Sequence, residues 1–180
     1  MAYNSKQPRK PYAQVPKLSR AAQAEFGAGK KGLIICKDCG AVYFKKHWHH
    51  SLDRLNNPEA AGLAKNNAAV VFAKCPACTM IANKQYEGRI VIKNVPEKSK
   101  TALEELIRGY GNRAYDRDPM DRLIAVTTVG SEWTVTATEN QLVNKLARKI
   151  KDEFHHVKLT HKFAGEPSMV EEVKIEFLAA

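Results

Sequence analysis

Apolar and polar positions follow two different periods along the second half of the chain. Residues 89–93 form a β-rich run, which predicts a strand. After Pro96 and Ser99 the apolar residues recur every three to four positions, which predicts a helix. The apolar face of this helix is formed by Leu103, Leu106, Ile107 and Tyr110.

The same alternation continues to the end of the chain. Residues 123–129 and 133–138 predict a hairpin around Gly130 and Ser131, and 157–163 and 170–177 predict the last two strands. Between these pairs, Thr138 and Gln141 have the spacing of a capping box for a second helix. That helix has an apolar stripe, formed by Leu142, Val143, Leu146, Ile150 and Phe154.

The order β-α-β-β-α-β with one extra strand predicts an α+β fold of the ferredoxin-like, split βαβ kind for residues 87–180. Residues 1–31 contain prolines and glycines without sustained apolar periodicity, and we expect a basic extended or disordered arm there, with a short helix near residues 19–26. Residues 32–86 contain all four cysteines and form the third predicted segment.

Charge is divided unevenly among these segments. The chain of 180 residues has a formal net charge of +10. Residues 1–31 contribute +6, residues 32–86 contribute +4, and residues 87–180 are neutral. Excess positive charge confined to one half favours a polyanionic partner, with nucleic acid foremost, although a merely solvated basic surface is the alternative.

The cysteines form two pairs, each with two intervening residues: Cys36 with Cys39, and Cys75 with Cys78. Two such knuckles provide four thiolates, the full tetrahedral set for one structural zinc ion, so residues 32–86 are predicted to be a four-cysteine zinc ribbon. The 35 residues between the pairs exceed the usual spacing, which indicates an insertion at residues 54–65. An iron site or cluster and a thioredoxin-like redox pair are the alternatives, and strand-like surroundings of both pairs speak against the second.

A basic and aromatic stretch, residues 42–50, follows the first cysteine pair. Lysine can meet phosphate while aromatic or histidine rings stack on unpaired bases, which is typical of RNA binding. One alternative is that the ribbon uses Val42, Phe44 and Trp48 as packing residues. For the histidines, the alternatives are free surface side chains or ligands of a second metal. The predicted nucleic-acid-binding residues are Lys6, Arg9, Lys10, Lys17, Arg20, Lys30 and Lys31 in the arm, and Lys37, Lys45, Lys46, His47, Trp48, His49, His50 and Lys74 around the cysteines.

The sequence favours a binding protein over an enzyme. No Ser/His/Asp, Cys/His or paired-carboxylate constellation stands out, and four thiolates leave no open position for catalysis by zinc. We expect no small-molecule substrate and no membrane, since no apolar run approaches the ~18 residues that a spanning helix needs. Without a secretory signal the chain is expected in the cytoplasm, where thiols stay reduced.

These motifs resemble a known family. CKDCGAVY at 36–43, CPAC at 75–78 and YEGRIVI at 86–92 are similar to the zinc-ribbon region of the Nmd-three family, the adaptor for large-subunit export. The chain is closer still to the short bacterial relatives of that family. The similarity extends over about residues 33–178, through ELIR at 105–108, DPMDRLI at 118–124, TAT at 136–138 and LARKI at 146–150.

The resemblance implies binding to the ribosome or its rRNA, with the large subunit expected, through a zinc-supported basic surface. Ribosomal proteins are further expected partners, and assembly, quality control and dormancy all fit. The long adaptor has more cysteines and further domains, so export is not implied. A zinc-ribbon protein that binds DNA or acts in transcription is the alternative function, and an enzyme with its site in the α+β segment is a third.

Overall fold

The computed structural model describes residues 32–65, 70–163 and 170–178, which all belong to one compact unit, Gly32–Ala180. The predicted arm at 1–31, with its short helix, and the predicted turn at Gly165 and Pro167 lie outside the described residues. The described chain is a mixed α+β protein with two sheets, which confirms the predicted class. The ribbon and the α+β segment, predicted to divide at residue 87, both lie within this unit.

The first sheet has four strands, and three short helices accompany it. Its strand order is β3-β2-β1-β4, in which β1 is antiparallel to β2 and parallel to β4. Its elements are β1 (Leu33–Cys36), β2 (Val42–Phe44), β3 (His47–His49), α1 (Leu52–Leu55), α2 (Pro58–Lys65), β4 (Val70–Ala73) and α3 (Pro76–Ala82).

The predicted insertion at 54–65 folds as helices α1 and α2. The Ser51 hydroxyl caps α1 by accepting from the Arg54 N–H at 3.2 Å, and the Asn57 side chain accepts from the N–H groups of Glu59 and Ala60 at the start of α2. Both helices pack on the sheet around a small core of Leu33, Val42, Phe44 and Ala60. A sheet this small has few apolar residues, so the insertion supplies part of the core.

The second sheet has five strands in the order β6-β7-β5-β9-β8. Alternate residues of its central strands pack against the apolar stripes of two helices in the main core of the protein. Its elements are β5 (Gly88–Lys93), a 3₁₀ turn (Glu97–Ser99), α4 (Lys100–Arg117), β6 (Leu123–Val129), β7 (Glu132–Ala137), α5 (Asn140–Glu153), β8 (Val157–Phe163) and β9 (Glu171–Phe177).

The extra strand changes the topology of this sheet. A ferredoxin-like sheet places the strand after the second helix beside the first strand and antiparallel to it. Here β9 lies beside β5 and is parallel to it, and β8 pairs only with the outer side of β9 among the described strands. The detailed ferredoxin-like topology is therefore not confirmed, whereas both crossovers, through α4 and α5, are present.

The predicted capping box at Thr138 is wrong. Helix α5 begins one residue later, with Glu139 at the N-cap and no side-chain cap. The Thr138 hydroxyl instead donates to the Met120 carbonyl at 2.6 Å and accepts from the Arg122 N–H at 2.9 Å. A tertiary partner thus replaces the local one, and Thr138 fixes the segment that leads into β6.

In the ranges that the structure describes, no helix combines the length and the apolarity that crossing a bilayer requires.

Candidate metal centre

The first cysteine pair lies in the turn between β1 and β2. Cys36 ends β1, and its N–H donates to the Ala41 carbonyl at 2.7 Å while its carbonyl accepts from the Gly40 N–H at 2.8 Å. Gly40 has a φ of +74°, a backbone conformation that a side chain disfavours. The turn brings both sulfurs of the pair within 4.8 Å of each other.

The second pair opens helix α3. Cys75 is the N-cap, Pro76 occupies the first turn, and the Cys75 sulfur accepts from the Cys78 N–H at 3.4 Å. The prediction that both pairs have strand-like surroundings is wrong for this pair. The site is built from one turn between strands and one helix N-terminus.

The four sulfurs converge on one point. All four Sγ atoms lie within 4.8 Å of one another, and those of Cys39 and Cys75 are 3.8 Å apart. A tetrahedral ion with metal–sulfur bonds of about 2.3 Å separates its sulfurs by about 3.8 Å. Cys36, Cys75 and Cys78 are buried, and Cys39 is partly exposed. The predicted ligand set is therefore brought together and fits one four-coordinate metal ion.

The thiols differ in their protonation. Burial raises the pKa of the Cys36 thiol, but N–H groups of Cys75, Cys39 and Asp38 outweigh it and lower that pKa to about 6. Burial raises the pKa of Cys78 to about 11 and raises the pKa of Cys75 as well, and the negative charge of Cys39 adds to both shifts. Without a cation the cluster does not carry four thiolates, whereas a bound divalent ion deprotonates its ligands.

Arg122 is the neighbour of this site that the sequence analysis missed. From the segment before β6, its Nη2 donates to the Cys39 sulfur at 3.1 Å and its Nη1 to the Cys78 sulfur at 3.5 Å. Burial opposes its charge, but the hydrogen bond and the charge of Cys39 raise the pKa of Arg122. Arg122 is 44 positions from Cys78, so local spacing gives no signal of this contact. The only hint is its place in the DPMDRLI stretch.

Further residues surround the sulfurs. Trp48 and Met120 pack against the cysteine cluster, and the ring of Trp48 lies 5.3 Å from that of Tyr43. His50 contacts helix α4. Its Nε2 lies 3.1 Å from the Asp116 carbonyl oxygen, and its ring meets the ring of Tyr115 edge-on, with the ring centroids 4.8 Å apart. Within the described ranges, the four cysteines are the only group of three or more His, Cys, Asp or Glu side chains close enough to share one metal ion, and it includes no histidine.

The predicted nucleic-acid-binding residues are only partly within the described chain. Lys37, Lys45, Lys46, His47 and Lys74 are exposed, and Trp48, His49 and His50 are half-buried. Two of the lysines are paired: Lys45 with Glu59 at 2.7 Å and Lys74 with Asp38 at 3.0 Å. The seven predicted residues of the arm, Lys6, Arg9, Lys10, Lys17, Arg20, Lys30 and Lys31, lie outside the described residues.

Comparisons with protein-family models, with curated proteins and with solved structures found no match to this chain. The resemblance to the Nmd-three family stays a prediction.

Proposed function

We propose that this protein is not an enzyme but binds ribosomal RNA, with the large subunit as its expected target, through the basic surface around a structural zinc ion. The observation that carries the proposal is the turn between β2 and β3. Phe44 pairs with His47, so Lys45 and Lys46 alone form the turn. Both lysines have positive φ, 48° and 70°.

This turn is strained for its sequence. Two-residue hairpin turns with positive φ at both positions favour Asn-Gly or similar pairs. For residues with larger side chains, the left-handed backbone conformation costs about 1–2 kcal/mol per residue. The ion pair of Lys45 with Glu59 is exposed and offsets little of this cost. Strain of this kind concentrates at functional positions. Two adjacent cations at a hairpin tip suit a phosphate backbone.

Aromatic rings lie directly behind the tip. Tyr43 and Trp48 are cross-strand partners in the same hairpin, and both are half-buried. The exposed part of such rings is a surface on which an unpaired base can stack. The hairpin therefore combines charge and stacking, which favours RNA with single-stranded loops over duplex DNA.

The proposed metal is one zinc ion with a structural role. Four cysteine sulfurs, three of them buried, suit zinc in a closed site that leaves no position for a substrate. Elemental analysis of purified protein tests this, with an expected stoichiometry of about one zinc per chain. Iron with visible absorption, or no metal, would contradict the assignment.

The RNA proposal is tested by replacing the strained lysines. The double variant K45N/K46G relieves the strain and removes two cations, so we expect a higher melting temperature together with weaker binding to a large-subunit rRNA fragment. Losing two phosphate contacts should flatten the slope of log affinity against log salt by roughly 1.4 units. Fluorescence anisotropy over a salt series measures both the affinity and the slope.

Lys84→Asn is the matched control. Lys84 also has positive φ, 55°, but it follows α3 rather than the hairpin. Its replacement should raise the melting temperature and leave the affinity for RNA nearly unchanged. Equal losses of affinity per charge removed in the two variants would show that only net charge matters. Preference for duplex DNA over the rRNA fragment in competition would instead favour the transcription-associated alternative.

Removing residues 1–31 tests the contribution of the arm. If about four of its seven basic residues contact RNA, the salt slope should flatten by roughly 3 units. An unchanged slope would show a solvated tail. Sedimentation of tagged full-length protein with ribosomes at moderate salt tests the target itself, and a protein wholly in the top fraction would contradict it.

A further inference from the structure

The guanidinium of Arg122 touches one sulfur from each cysteine pair. Nη2 donates to Cys39, in the turn between β1 and β2, and Nη1 donates to Cys78, at the start of α3. The remaining nitrogen, Nε, donates to the Pro119 carbonyl at 2.7 Å. Arginine provides such donors in one rigid plane, so the three contacts fix the side chain relative to both knuckles.

Arg122 also contacts residues of the second sheet and its helix α4. Its own N–H donates to the Thr138 hydroxyl at the end of β7, and its guanidinium lies 5.1 Å from the ring of Tyr115 on α4. The ring of Tyr115 also contacts the ring of His50, which follows β3 of the first sheet. Arg122 therefore links Thr138 and Tyr115 to both cysteine pairs.

Charge makes these contacts depend on the metal. Four thiolates around a divalent ion have a net charge of −2, and Arg122 is the charged side chain that the described residues place in hydrogen-bond contact with the sulfurs. Hydrogen bonds from a cation to thiolate are stronger than those to a neutral thiol. Loss of the ion also frees the two knuckles from each other, so the two sulfurs no longer form one fixed pair of acceptors for the guanidinium.

We propose that Arg122 is a positioning residue of the metal centre. It couples metal binding to the packing of the two cysteine pairs against the second sheet. The coupling is reciprocal: Arg122 tightens the binding of the metal, and the metal stabilises the segment that carries Arg122. Residues that orient metal ligands typically change metal affinity by about 10–100-fold when replaced. The inference is independent of the RNA proposal.

The first test measures metal affinity. In competition with a chromophoric chelator, R122Q should bind zinc about 10–100-fold more weakly than the unchanged protein. R122K keeps the charge but cannot reach both sulfurs and the carbonyl at once, so its affinity should be intermediate. R113Q is the control, because Arg113 lies on the same helix as Tyr115 but contacts Tyr110 rather than the sulfurs. Affinities of R122Q and R122K within twofold of the control would overturn the proposal.

The second test needs no variant and covers the case in which R122Q does not fold. Hydrogen exchange of the full-length protein is compared before and after removal of the metal by a chelator. We expect faster exchange at residues 118–124, where the N–H groups of Met120 and Arg122 are bonded to the side chains of Asp118 and Thr138. Exchange in the middle of α5 should stay slow. Unchanged protection at 118–124 after metal loss would overturn the coupling.

Discussion

Gly111 on helix α4 lies against Leu123 at the start of strand β6, at a distance that leaves no room for a side chain. A Cβ atom on Gly111 would lie 2.6 Å from Cγ of Leu123 and closer still to its Cδ1. The same strand follows Arg122 directly. The close approach of α4 and β6 therefore sets the position from which Arg122 reaches the cysteines.

Gly111→Ala should destabilise the protein. Alanine improves the intrinsic helix propensity by about 1 kcal/mol, but overlap with a packed leucine costs typically about 1–3 kcal/mol. We expect a net loss of about 1 kcal/mol, which corresponds to a fall of about 2–4 °C in melting temperature. Thermal unfolding followed by circular dichroism measures the change.

Gly109→Ala on the same helix is the matched control. Its Cβ would meet only the terminal Nη1 of Arg113, at 3.3 Å, which can move aside. The helix propensity term should then dominate and raise stability by up to about 1 kcal/mol. Equal effects of the two substitutions, in either direction, would contradict the packing argument.

Metal binding should depend steeply on pH. Cys75 and Cys78 have raised pKa values because they are buried, about 11 for Cys78, so both thiols are protonated at pH 7 in the absence of metal. Binding must release at least these two protons, and the apparent affinity should therefore rise with pH by about a hundredfold or more per unit between pH 6.5 and 8. Below the Cys36 pKa of about 6 the proton of Cys36 competes as well, and the dependence should become steeper.

Competition titrations at several pH values, corrected for protonation of the chelator, measure this dependence. Proton release on adding zinc in a weakly buffered solution measures the same quantity independently. An affinity that does not change between pH 6.5 and 8 would contradict the protonation states assigned to Cys75 and Cys78.

The sequence predicts those parts of the fold that follow from local pattern. The bounds of β6 and β8 agree with their periodicity, and the cysteine spacing locates the site, because two sulfurs three positions apart converge wherever the backbone turns. The helical start at Cys75 is less visible, since Pro76 is compatible with a turn as well as with a first helical residue.

Features that depend on distant partners are missed. Thr138 and Gln141 match a capping box, yet the hydroxyl of Thr138 binds Met120 and Arg122, which no local pattern indicates. The position of β9 beside β5 is missed because periodicity carries no information on strand order. The contact of Arg122 with the sulfurs belongs to the same class of long-range effects.

Asp121→Asn should stabilise the protein at neutral pH. Burial, and then the nearby Asp118 carboxylate, raise the pKa of Asp121 above its ordinary value. A carboxyl whose pKa is higher in the folded state favours folding when it is protonated, so its ionisation lowers stability as pH rises. The gain from Asn should therefore be present at pH 7 and decline as pH falls through the raised pKa.

Chemical denaturation at pH 7 and pH 4 measures that gain, with Glu105→Gln as the control. Glu105 is an exposed carboxylate on α4, and its replacement should have little effect at either pH. A destabilising effect of Asp121→Asn at pH 7 would contradict the argument. Equal gains at both pH values would show that packing rather than ionisation is responsible.

Trp48→Ala separates packing from the proposed RNA binding at the hairpin. Trp48 packs against the cysteine cluster and lies beside Tyr43, so its loss should destabilise the protein, by about 2 kcal/mol for a half-buried tryptophan, and speed the release of metal. If a base also stacks on its exposed part, RNA affinity should fall by a further ~1–3 kcal/mol at a temperature where the variant is fully folded. The salt slope should not change, because no charge is removed.

Trp48→Phe keeps a ring in both roles and should restore most of the stability and affinity. A variant with an unchanged melting temperature would show that Trp48 does not support the metal centre, whereas loss of stability with unchanged RNA affinity would remove Trp48 from the binding surface and leave the lysines at the tip.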